Sequence, residues 1–174
     1  MDALTPRFTA ALMATMIETD AERAARELCG SCGLCCDGTL FSSVDVSEDE
    51  APGIARASEG GRLKVLQPCP AHEGGCRVYA DRPRSCREFR CAPLEAMESG
   101  AMTPAQAKGL LDRAKALSKT VRARIPGTGP LWRDVEPRIT SAAWRAGHAD
   151  LVLDIALLRE LGRKIRDEAR PVRP

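Results

Sequence analysis

All eight cysteines of this 174-residue chain fall between residues 29 and 91. Four of them form a compact run, Cys29-Gly-Ser-Cys32-Gly-Leu-Cys35-Cys36. Cys69, Cys76, Cys86 and Cys91 are spread out behind it. In a C-x-x-C turn two thiolates converge on one side of the loop, and a third at the same spacing can join them around one metal centre. Ferredoxin-type runs space three cysteines this way and take a further ligand from a distant one. Zinc ribbons use paired C-x-x-C knuckles, and here the second knuckle is missing. The pattern therefore tilts toward an iron–sulfur cluster as the cofactor, with zinc as the alternative.

Neighbouring side chains on extended backbone point to opposite sides. Cys35 and Cys36 are thus awkward as joint ligands of one ion but natural as ligands of two sites or of a polynuclear cluster. Cys29, Cys32 and Cys35 are expected on one centre, with Cys36 in a different role. Eight thiolates also divide evenly into two four-thiolate sites, and a single site with four structural cysteines is the other arrangement. All eight are candidate metal ligands. Packing alone rarely yields such density. His72, between Cys69 and Cys76, is an alternative imidazole donor, although a lone loop histidine is more often solvated. His148 has no assigned role. Arg82 and Arg87 flank Cys86, and Arg90 precedes Cys91. Guanidinium groups there would offset the negative charge of a thiolate site, the plainer reading being ion pairs to Asp81 or Glu88.

The remaining composition excludes more than it suggests. A formal net charge of +2 gives no argument for nucleic acid, since the 29% charged residues interleave both signs. No apolar run is long enough to cross a bilayer. Met1 to Met16 lacks a basic segment followed by an apolar core, so a cytoplasmic location is expected. In that reducing compartment cysteines favour metal over disulfides. No Ser-His-Asp set, phosphate loop or dinucleotide fingerprint is present, which favours binding over catalysis and leaves the question of an enzyme open.

These residues need elements to position them. Helical spacing runs over residues 8–27 and delivers the chain to Cys29, where Gly30, Gly33 and Gly38 indicate a loop. Phe41 to Val46 and Arg62 to Gln67 read as short strands. Between them, Ser47 and Glu50 have capping-box spacing for a short helix that Gly60-Gly61 would end. Pro83 can open a helix one turn before Cys86. Thr103-Pro104-Ala105-Gln106 starts a helix expected to reach Ile125. A Pro-Gly turn follows, then helices over about 137–147 and 150–169. Leu151, Ile155, Leu158 and Leu161 form a core-facing stripe on the last. The expected fold is mainly α with a small irregular cysteine-rich module and few short strands. Residues 1–92 would form the metal-binding module and residues 93–174 a helical extension packed on it, which is also the surface left for a protein partner.

The cysteine segment resembles the YkgJ-like cysteine cluster family, described as zinc- or iron-chelating proteins. The resemblance rests on Cys29-x-x-Cys32-Gly33-x-Cys35-Cys36, on Cys69-Pro70, and on Cys76-x-x-Tyr79-x-x-Arg82-Pro83-x-x-Cys86-Arg87-x-Phe89. It covers about residues 27–91 and leaves Cys91 and the helical tail outside. It implies metal binding without a defined reaction. Three functions follow as expectations: an iron–sulfur protein in electron transfer, sensing or cluster and metal handling; a zinc-binding structural module; and a metal-dependent enzyme related to flagellin lysine methylase. For the last, no S-adenosylmethionine loop is evident and the chain is short.

Overall fold

The computed structural model describes residues 18–50, 54 and 56–166. The expectations for Met1 to Met16, for the start of the 8–27 helix and for residues 167–169 lie outside them. Among the described residues the fold is mainly α, with seven helices and one three-stranded sheet. The order is α1 (Asp20–Cys32), β1 (Ser43–Asp45), β2 (Ala57–Glu59), β3 (Arg62–Leu66), α2 (Arg84–Glu88), α3 (Ala92–Glu98), α4 (Pro104–Arg124), α5 (Leu131–Ile139), α6 (Ala142–Gly147) and α7 (Ala149–Arg166). No described helix is long and apolar enough to cross a membrane.

Local chemistry sets several of these boundaries. Thr19 caps α1: its hydroxyl accepts from the Glu22 N–H at 3.2 Å, and the Glu22 carboxylate accepts from the Thr19 N–H at 2.8 Å. The same reciprocal cap links Thr103 and Gln106 at the start of α4, as the sequence predicts. The Leu151, Ile155 and Leu158 stripe of α7 is buried, with Leu161 packed at its edge.

Three expected elements come out differently. Gly60-Gly61 does not end a helix but turns the β2–β3 hairpin, both glycines holding positive φ (59° and 73°). That is the backbone a two-residue hairpin turn demands. The expected helix at Ser47 is only a turn among the described residues, although the Glu50 carboxylate does accept from the Ser47 N–H at 3.0 Å. Its other oxygen accepts from the Arg84 N–H at 2.6 Å, tying this turn to the start of α2. The expected 137–147 helix is two helices, α5 and α6. Pro137 falls near the end of α5 rather than opening it, because the buried Leu131 and Val135 draw the preceding turn into the core.

The sheet is antiparallel with order β1-β3-β2, and Val44 stands opposite the buried Val65. One hydrophobic core runs from α1 and the cysteine loop to the C-terminal helices. It joins Ala25, Leu34, Leu40 and Cys91 to Leu94, Leu111, Val121 and Leu158.

The helical half also holds the cysteine loop by its backbone. Four successive carbonyls after Cys36 each accept from it. Arg122 Nη2 donates to Asp37 O at 2.6 Å, the Leu131 N–H to Gly38 O at 2.9 Å, Trp132 Nε1 to Thr39 O at 2.8 Å and Arg166 Nη1 to Leu40 O at 2.7 Å. The Thr39 and Ser118 hydroxyls add a hydrogen bond of 2.6 Å. Gly38 takes φ +81°, and a Cβ there would stand 3.0 Å from Pro130 Cα, so this close approach requires glycine. Removing a donor from a buried carbonyl costs about 1–3 kcal/mol. Trp132→Phe keeps an aromatic ring and removes the N–H, so urea unfolding should show a loss of at least that size. An unchanged midpoint would mean that the Trp132 bond does not hold the loop.

Candidate metal centre

The first cysteines sit on a helix rather than in a loop. α1 runs through Cys32, so Cys29 and Cys32 lie three residues apart on one helix face. Gly33 ends the helix in the left-handed region at φ +80°. Cys36 and Asp37 N–H groups both donate to Gly33 O at 2.8 Å, closing the turn that carries Cys35 and Cys36. The Cys69 N–H donates to Cys36 O at 2.7 Å and the Cys76 N–H to Gly30 O at 3.2 Å, which brings the second group of cysteines back onto the first. Cys86 stands within α2, after Pro83 at its N-cap. Cys91 is the N-cap residue of α3.

All eight cysteines line one cavity of about 470 Å³. None forms a disulfide. Most of the remaining wall is apolar, including Phe41, Val65, Phe89, Leu94 and Leu111. Phe41 and Phe89 meet edge to face with ring centres 4.9 Å apart. The thiols surround this space: among the described residues, no three Cys, His, Asp or Glu side chains are gathered tightly enough to hold a single ion.

Burial pushes the thiols away from ionisation. Cys36 is raised to about 12, by desolvation first and then by Cys69, Cys76 and Cys86. Cys86 and Cys91 are each raised to about 11, again chiefly by burial. Cys35 lies well above its ordinary value, and Cys32 and Cys69 are also raised, with desolvation leading in each case. Backbone N–H groups of Leu34, Ala71 and Leu94 partly offset the rise at Cys32, Cys69 and Cys91. A thiol raised in this way keeps its proton until a cation replaces it.

Arg82 is the cation built into the wall. Its guanidinium lies 3.8 Å from the centre of the Tyr79 ring, and Nη1 donates to Tyr79 O at 2.5 Å. It lowers the Cys86 thiol against the burial effect. Its Nε is buried without an acceptor, a donor suited to a thiolate or an inorganic sulfide. The wall thus offers the thiol donors and the spare N–H that an iron–sulfur or zinc centre takes, without gathering them into a single-ion site among the described residues.

Other expected residues lie elsewhere. Arg87 donates to Arg82 O at 2.9 Å, so it braces Arg82 and does not line the cavity. Arg90 pairs with Glu98 at 3.2 Å. Glu88 pairs with Arg84, not with Arg82 or Arg87. His72 is outside the cavity wall and packs over Gly33, where an added Cβ would lie 2.4 Å from its Nε2. His148 stacks on Trp144. Sequence reasoning gave no role to Tyr79, which lies against Gly30 and in reach of the Cys29 thiol, or to Gln67. Gln67 lines the cavity with its buried Oε1 lacking a donor. The Tyr79-x-x-Arg82 spacing was visible as part of the family motif; nothing in the sequence marked Gln67.

Comparison of the chain with protein-family models, curated proteins and solved structures found no match. The raised thiols carry a pH signature of their own. A proton held more tightly in the folded than in the unfolded chain stabilises the fold below the unfolded pKa, and that stability is lost as pH rises through the folded one. In metal-free protein, stability should fall between about pH 9 and the value of about 12 for Cys36. Urea midpoints at pH 8 and 10.5, under reducing conditions, measure this. Cys36→Ala should flatten the decline, and an equal slope in both proteins would contradict the account.

Proposed function

We propose that this chain is an iron–sulfur protein whose cluster chemistry serves electron transfer or redox sensing. The observation that carries this reading is the gathering of all eight cysteines around one largely apolar cavity of about 470 Å³. Four sulfurs on one zinc ion, at Zn–S of about 2.3 Å, stand within about 4 Å of one another. In a cubane each thiolate sits on its own iron, so the sulfurs stand farther apart around a larger body. Thiols spread over a broad wall suit the second geometry.

The resemblance of the Cys29–Cys36 run and of the Cys76–Phe89 segment to the YkgJ-like family supports the same reading. Two residues of that motif, Tyr79 and Arg82, form the stacked pair at the cavity wall. When bound, an iron–sulfur cluster supplies one-electron chemistry. The chain's own residues supply thiolates, an apolar wall that limits water, and a guanidinium that offsets negative charge.

The test is to purify the full chain without oxygen and measure iron, acid-labile sulfide and the visible spectrum. Iron with a matching amount of sulfide and broad visible absorption is expected. Colourless protein filled with zinc and free of sulfide would overturn this reading and favour a zinc-stabilised module.

A further inference from the structure

We propose that the eight cysteines form two separate four-thiolate sites, Cys29, Cys32, Cys35 and Cys91 in one, Cys36, Cys69, Cys76 and Cys86 in the other. That each site takes an iron–sulfur cluster rests on the function proposed above; the division itself rests on geometry alone.

Packing makes the first distinction. Cys91 belongs to the hydrophobic core, and Cys29, Cys32 and Cys35 pack against it. The core cluster includes none of Cys36, Cys69, Cys76 and Cys86, although all four line the same cavity. The inner set is assembled by helices. Cys29 and Cys32 share a face of α1, and α3, which Cys91 caps, packs on that helix.

Backbone pairing makes the second. The Cys69 N–H bonds to Cys36 O, the His72 N–H to Cys69 O at 2.9 Å, and His72 forms a bridge with Cys76. Loops thus gather Cys36, Cys69 and Cys76, and Cys86 joins them at the cavity from α2. The chain crosses from one set to the other between Cys35 and Cys36, where adjacent side chains diverge.

The two sites therefore differ in surroundings. The inner one backs onto the helical core, where the Lys115 ammonium donates to Ser31 O at 3.3 Å beside Cys32, and the Arg82 guanidinium lines the cavity that the outer one shares.

Paired substitutions in the full chain test the division. Wild-type protein and variants are reconstituted without oxygen from ferrous iron and sulfide, then assayed for both. Wild type should bind about eight irons, as two cubanes require. Cys35→Ala and Cys36→Ala should each retain about half. The same-set double Cys35→Ala/Cys91→Ala should match Cys35→Ala alone, whereas the cross-set double Cys35→Ala/Cys86→Ala should lose nearly all. Half loading in the single variants also shows that they fold. If same-set and cross-set doubles lose metal equally, the division is wrong. A second measurement needs no variant: reduced wild type should show spin coupling between two clusters by electron paramagnetic resonance. The signal of one isolated cluster would overturn the proposal. The same pattern of doubles read out as zinc, without sulfide, would support the division while sinking the iron–sulfur function.

Discussion

Eight weak acids around one apolar cavity impose the constraint on which this structure turns. Burial raises the thiols of Cys32, Cys35, Cys36, Cys69, Cys86 and Cys91, and neighbouring thiolates raise them further, Cys36 to about 12. Arg82, whose guanidinium acts on Cys86, is the cation that lines the cavity. Among the described residues Lys115 acts on Cys32 as well, and these few positive charges leave the raised thiols neutral. A cationic centre inverts that balance, because attraction to the metal replaces repulsion among thiolates and the displaced protons leave to solvent.

Such a wall must be held from outside, since thiols packed together offer little cohesion of their own. The helical half does this through the backbone. Arg122, Trp132 and Arg166 lie 85, 93 and 126 residues along the chain from the carbonyls they hold. With the Leu131 N–H they fix four successive carbonyls after Cys36. The shared core crosses the boundary at residue 92 as well. The C-terminal helices thus hold the cysteine loop in place, and nothing requires metal binding to supply all of the order there.

What could be read in the sequence was what local chemistry decides. The α4 start follows from Thr103, Pro104 and Gln106, which act on one another within a turn. The α7 stripe follows from spacing alone. The candidate ligands were legible as residue types, and all eight line the cavity. Where local signals serve two structures, reading failed. Gly60-Gly61 suits a helix stop or a hairpin turn, and pairing with β3 decides for the hairpin. Pro137 suits a helix start, but burial of Leu131 places that start six residues earlier. The place of Cys91 among the first cysteines depends on α3 packing against α1, a tertiary contact with no sequence pattern.

The central claim concerns what the cysteines surround, and diffraction tests it most directly. Crystals grown without oxygen, measured on both sides of the iron absorption edge, would locate iron against the eight sulfurs. The account predicts iron density within the cavity, in two bodies, one beside Cys91 and one beside Cys86. A cavity whose anomalous signal appears only at the zinc edge, or cysteines bridged to one another with no metal between them, would contradict it.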